Sequence, residues 1–225
     1  MVCMRIVYDT GLRHIPVCDN LEPLVDIKST NKRIMVSLMP ESRKFFRKNQ
    51  CLVRKTVAEK LARIQDRLHQ FRLVIFDGFR ALELQKLLYD KQLKIFHTQK
   101  PQLSKEKLNR LCQRFVAPVG KGVIPPHCTG GAVDLTLVRQ GKQLDMGTML
   151  GEMSSRSRTQ SKEITKKARL NRNLLIKAMR TEGFCNYPFE WWHWSYGDRY
   201  WAMKNRMKIS IYRCADNEYK AYMRK

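Results

Sequence analysis

The sequence predicts an α+β fold. Helical periodicities and short apolar strands are interspersed along the 225 residues. They do not follow the regular strand–helix–strand rhythm of a doubly wound sheet. No internal repeat and no Gly/Ser linker divides the chain, so one domain spanning 1–225 is expected.

The elements follow in order. In 56-TVAEKLARIQDRLHQF-71, Val57, Leu61, Ile64, Leu68 and Phe71 recur at helical spacing, and Thr56 with Glu59 has the form of a capping box. The run 73-LVIF-76 reads as a short strand ended by Asp77-Gly78. A second helix is expected from about Ala81 to Phe96, and a third from an N-cap at Ser104 to Phe115. Residues 117–131 carry three Pro and four Gly and read as loop. In 132-AVDLTLV-138, Val133, Leu135 and Leu137 face one way, and Ala132, Asp134 and Thr136 the other. A polar loop over about 147–163 precedes a helix over 164–182. Gly183 then leads into an aromatic segment that reads as a strand.

Composition narrows the function classes. With 44 Lys+Arg against 20 Asp+Glu the formal charge is +24, which favours polyanionic partners. The basic residues are scattered rather than blocked, which argues against a dedicated nucleic-acid face. Seven Cys, widely spaced and without a Cys-x-x-Cys pair, disfavour both a disulfide framework and a thiolate zinc site. The first residues lack the apolar core of a secretory leader, and no apolar run reaches transmembrane length. A cytoplasmic location is the expectation.

Three short stretches carry candidate chemistry. In 125-PPHCTGGAVDLTL-137, His127 sits on a loop held by prolines and glycines, and Asp134 sits inside a strand, where Asp is depleted and costly to bury unpaired. A cation between imidazole and carboxylate accounts for both features; so does a His–Asp hydrogen bond that shapes a turn. In 189-FEWWHWSYGD-198, Glu190 and His193 stand inside the densest aromatic run. They are either bystanders with hydrogen-bond partners, or a general base and a third ligand. Residues three apart on a regular strand point to opposite faces, so a shared site requires a bend between them. In 77-DGFRALELQ-85, Arg80 lies where a strand passes into a helix. It is either one more surface cation or a holder of a substrate carboxylate or oxyanion. His14, His69 and His97 have ordinary polar or helical surroundings and read as surface residues.

Taken in order, D-G-F-R, H-x-x-G-x-A-x-D and E-W-W-H resemble the zinc-dependent D-alanyl-D-alanine dipeptidases of the VanX type. The stretches 16-PVCDNLEPLVDI-27, 51-CLVRKTVAEKLARIQ-65, 144-LDMGT-148 and 171-NRNLLIKAMRTEGFCNYPFEWWHWSYGD-198 fit the same family, so the resemblance covers most of the chain. It implies an antiparallel sheet flanked by helices, the D,D-peptidase/hedgehog-like architecture. It also implies one zinc ion held by His127, Asp134 and His193, with Glu190 as catalytic base and Arg80 steadying the oxyanion. The implied reaction is hydrolysis of D-Ala-D-Ala to two D-alanines. A relaxed D,D- or L,D-peptidase on wall fragments and an inactive scaffold that binds polyanions are the other readings. This chain departs from the family pattern at Ala81 (often Pro), at Pro125 (Ser in some members) and at Gly151. The family commonly has at that last position an Asp that holds the dipeptide's ammonium, and the neighbouring Glu152 is the candidate to replace it here.

Overall fold

The computed structural model describes residues 12–46, 50–120 and 122–224. Cys3 and most of the amino-terminal stretch on which the absence of a leader was read lie outside them.

Six strands form the main sheet in the order β2-β4-β5-β8-β7, with β6 paired to β5. They are β2 (Met35–Val36), β4 (Arg72–Asp77), β5 (Ala132–Arg139), β6 (Lys142–Gln143), β7 (Cys185–Asn186) and β8 (His193–Ser195). Every pairing is antiparallel except β2 with β4. A separate ribbon pairs β1 (Leu24–Asp26) with β3 (Leu52–Arg54). Around these lie α1 (Lys55–Arg67), α2 (Leu82–Gln99), α3 (Lys105–Cys112), α4 (Lys166–Arg180), α5 (Arg199–Lys204) and α6 (Asp216–Met223). The class is α+β, with a mostly antiparallel sheet and flanking helices, as expected. No helix among the described residues is long and apolar enough to cross a membrane.

The apolar faces behave as their periods require. Val57, Leu61 and Ile64 of α1 join Val133, Leu135 and Leu137 of β5 in the main core. The alternate face of β5 is buried as well, with Ala132, Asp134 and Thr136 at 0%, 7% and 0% exposure, so this strand is central on both sides. Ser104 caps α3 through the Lys107 N–H, and Thr165 caps α4 through the Ala168 N–H.

Two expectations need correction. Thr56 and Glu59 form no capping box. The N-cap residue of α1 is Arg54, which makes no side-chain cap bond. Instead the Glu22 carboxylate accepts the Thr56 backbone N–H at 2.9 Å and the Thr56 hydroxyl at 2.8 Å. A residue 34 positions away thereby satisfies the helix end, a partner that local pattern does not reveal. After Gly183 the aromatic segment is strand only at Cys185–Asn186 and His193–Ser195; residues 187–192 between them are turn and irregular chain.

Burial works against the Glu22 charge, but its hydrogen bonds to Thr56, Tyr212 and Asn20 outweigh it and hold the carboxyl below its ordinary value. That stabilisation is therefore present above the unfolded-state pKa and is lost as pH falls through the lower folded-state one. Glu22→Gln is expected to destabilise by about 1 kcal/mol near neutral pH. In denaturant titrations the gap to wild type should close on acidification below about pH 4; a gap that widens in acid would contradict this cap.

Candidate active site

Cross-strand register assembles the site. Asp134 on β5 pairs directly with His193 on β8, and Asp77 at the end of β4 pairs with Asp134 from the other side. One row across three strands therefore carries Asp77, Asp134 and His193. A register irregularity between Ile75 and Asp77 brings Asp77 into that row.

His127 enters from the loop before β5, on the short 3-10 turn Pro126–Thr129. Gly130 follows at φ 74°, a left-handed conformation that favours glycine. At Gly131 a β-carbon would collide with the Tyr196 carbonyl oxygen. These two glycines let the loop fold tightly against β8 and aim His127 inward. Buried Arg54 anchors the same loop by donating to the Thr129 carbonyl at 2.8 Å.

Three donor atoms converge. His193 Nδ1 lies 3.0 Å and His127 Nε2 lies 3.3 Å from Asp134 Oδ1. The two ring nitrogens are 3.1 Å apart. His127 Nδ1 lies 2.8 Å from the Gly78 carbonyl, which accepts only from a protonated nitrogen; in the neutral ring this leaves the Nε2 lone pair facing the cluster. On the far side of the His193 ring, Nε2 lies 3.5 Å from Ser195 Oγ. Lone pairs converging on one point suit a cation. Ligands about 2.0–2.1 Å from a tetrahedral zinc would sit about 3.3 Å from one another, close to the separations here.

Charge states agree with that role. Burial pushes the Asp134 carboxyl up, but the two imidazoles overcome this and hold it far below the usual carboxylate range. Burial lowers His193 and keeps its ring neutral, the form a ligand requires, although Asp134 opposes this.

Glu190 lines the same cleft. The chain bends as a shared site requires: Glu190 N–H donates to the Tyr187 carbonyl at 3.1 Å and His193 N–H to the Glu190 carbonyl at 3.3 Å, with Trp191 and Trp192 in the turn between. Burial pushes the Glu190 carboxyl well above its ordinary value. The negative Asp134 adds to this, while Arg80 and a hydrogen bond from Trp192 oppose it. Two buried carboxyl groups thus diverge, one staying anionic and one able to carry a proton, which is how acid–base roles separate in active sites.

Arg80 is a largely enclosed partner of the site rather than a surface cation, its side chain 12% exposed. Its Nε and Nη2 donate to Asp77 Oδ2 at 3.0 and 2.5 Å, and Nη1 donates to Gln85 Oε1 at 2.8 Å. Nη2 also lies 3.9 Å from Asp134 Oδ2, so the guanidinium separates two carboxylates that the register forces together. Gln85 is itself fixed, donating to the Ala117 carbonyl at 2.7 Å.

Glu152 is placed differently. Gly151 and Met153 line the cleft and Glu152 does not. Its carboxylate accepts from Ser154 Oγ at 2.7 Å, and the residue is half-buried. His14, His69 and His97 are exposed. Sequence reading passed over Asp77, Gln85 and Asn186. Asn186 Nδ2 lies 3.1 Å from the Glu190 carbonyl and 3.0 Å from that of His193, stapling the turn that joins them. An Asp before Gly-Phe-Arg was the only local signal, and it pointed to a strand end.

Buried His, Asp and His donors converging on one point make up a metallopeptidase site. The chain belongs to the D-ala-D-ala dipeptidase family, peptidase M15, which it matches over residues 34–211. A D-alanyl-D-alanine dipeptidase of Synechocystis sp. is 29% identical over 168 residues, 62% of this chain and 68% of that protein. A protein of the same name from Enterococcus faecalis is 32% identical, over 54% of this chain and 60% of the relative. One from Escherichia coli is 36% identical, over 45% and 53%. The matched segment thus spans from about half to two-thirds of these relatives' lengths. Among solved structures, the vancomycin-resistance D,D-pentapeptidase VanY in complex with Zn(II) covers 77% of this chain and 86% of its own, at TM-score 0.45 and 15% identity. The LdcB LD-carboxypeptidase covers 85% and 81%, at TM-score 0.45 and 19% identity. At these values the two structural likenesses carry no weight on chemistry.

The cluster makes a direct prediction about metal retention. After dialysis, wild-type protein should keep zinc and His127→Ala should lose it, measured by elemental analysis. Equal zinc content in the two would remove His127 from the ligand set.

Proposed function

We propose that the protein hydrolyses the amide bond between two D-alanines, with one zinc ion per chain. The observation that carries this reading is the buried triangle of His127, Asp134 and His193 with the raised carboxyl of Glu190 in the same cleft. Family membership supports the substrate class.

His127 Nε2, His193 Nδ1 and one Asp134 oxygen would hold the zinc. When bound, the ion polarises the scissile carbonyl and acidifies water. Glu190 takes a proton from the attacking water, forms its protonated state readily in these dry surroundings, and delivers the proton to the leaving amine nitrogen. Arg80, with Asp77 and Gln85 holding its fork, turns its remaining N–H groups to the oxyanion that develops on the carbonyl oxygen. The buried Trp192 wall keeps bulk water from this charge separation, and low dielectric strengthens each contact. Orientation is thus set before the substrate arrives.

We also propose a reducing, cytoplasmic setting, with which the six free cysteines among the described residues are in keeping. The substrate is small and uncharged at the reacting bond, so no nucleic-acid partner is invoked despite the basic surface.

The test is release of D-Ala from D-Ala-D-Ala or peptides ending in it, with and without a chelator. Activity should vanish with the chelator and return with zinc. Glu190→Gln should lower kcat by about 10²–10⁴ with zinc retained, and Arg80→Ala by about 10²–10³. Wild-type turnover in Glu190→Gln would exclude Glu190 as the proton carrier.

A further inference from the structure

Asp198 is a buried carboxylate that the proposed chemistry does not use. It closes the run 194-WSYGD-198 and is 1% exposed. Its Oδ1 accepts the Trp201 N–H at 2.8 Å and so caps α5. Its Oδ2 is buried and takes no hydrogen bond of normal geometry among the described residues. Capping alone does not account for this. Asn or Ser would cap a six-residue helix about as well, without placing a charge where burial opposes it.

The neighbours of the carboxylate lead back to the metal cluster. His193 and Ser195 are two apart on β8, so their side chains leave the same face of the strand. There the buried Ser195 Oγ lies 3.5 Å from His193 Nε2, the ring nitrogen turned away from Asp134. Gly197 then turns the chain at φ 73°, where a β-carbon would collide with the Tyr212 ring. Its carbonyl accepts the Ile211 and Tyr212 N–H groups at 2.8 and 3.2 Å, which locks the turn. Asp198 is thereby set against Ser195. Burial pushes its carboxyl up to about 6, and the Trp201 N–H, the Ser195 hydroxyl and the His127 imidazole oppose that rise. At neutral pH the group is therefore anionic, with an imidazole of the cluster within its electrostatic reach.

Proton positions complete the link. When Nδ1 of His193 serves as a metal ligand, the neutral ring carries its proton on Nε2. That N–H faces Ser195 Oγ, which can accept it while its own proton is offered to Asp198. A carboxylate at the end of such a relay fixes the tautomer and orientation of the ring and raises its basicity as a ligand.

We propose that Asp198, acting through the Ser195 hydroxyl, is a positioning residue that holds His193 in the tautomer and orientation of a metal ligand. This rests on the reading of His193 as a zinc ligand.

The test is a double-mutant cycle on the zinc affinity of the full chain, measured by competition with a chelating dye, beside urea unfolding of the metal-free forms. Asp198→Asn keeps the cap and the shape and removes the charge. Ser195→Ala breaks the relay and leaves the cap alone. Each should weaken zinc binding by about 10–100-fold. The double variant should lose no more than the larger single loss, because both changes cut one relay. Ser195→Ala decides the matter by itself should Asp198→Asn fail to fold. Wild-type zinc affinity in the folded single variants would overturn the inference and leave Asp198 as a helix cap, whatever the unfolding midpoints show. Losses that multiply in the double variant would overturn the link through Ser195. A wild-type chain that takes up no zinc would instead overturn the reading of the cluster itself.

Discussion

Everything at the reaction centre depends on the register of three antiparallel strands. Asp77, Asp134 and His193 stand in one row because β4, β5 and β8 pair as they do. A slip of one residue would turn each side chain to the opposite face and dissolve the site. The same register imposes a cost, since it sets two carboxylates side by side in a buried place. Arg80 and the two imidazoles offset that repulsion, so the groups proposed for catalysis are also the ones that make the row tolerable. Removing one partner of such a buried set leaves a charge unpaired, typically at about 3–5 kcal/mol. Stability and chemistry are therefore bound to the same few residues.

The strands alone place only part of the site. His127 and Glu190 come from irregular chain, and buried polar side chains hold that chain still. Arg54 grips the His127 loop through the Thr129 carbonyl and packs over the Tyr212 ring. Arg172 of α4 donates to the carbonyls of Met146, Arg156 and Arg158, ordering the polar loop that rests on the Trp191 turn. Trp191 in turn donates to Thr148 and takes its backbone partner from Ser157. Some of the basic surplus is thus spent inside, on carbonyl oxygens that no regular ladder satisfies. Such bracing keeps a metal site and its base within the tolerance that catalysis demands.

How much of this was legible in the sequence divides along one physical line. Residue type and local period disclosed the helices, the central strand, and the polar residues out of place among apolar ones: Asp134 inside a strand, Glu190 and His193 among tryptophans. Even the bend between Glu190 and His193 followed from strand geometry. What did not show was any feature made by partners far apart in the chain. Glu22 capping α1 and Gln85 steadying Arg80 against the Ala117 loop depend on contacts that spacing does not encode. Nor could spacing tell which way Glu152 turns; Ser154 two residues on takes its carboxylate, and the adjoining cleft wall is left to Gly151 and Met153.

X-ray absorption at the zinc edge of the loaded protein tests the central claim most directly. Buried Cys128 adjoins His127, so sulfur is a real alternative ligand in this neighbourhood. The account predicts nitrogen and oxygen neighbours only, at about 2.0–2.2 Å, with the outer scattering of two imidazole rings. A sulfur neighbour at about 2.3 Å, or the signal of fewer than two imidazoles, would contradict it.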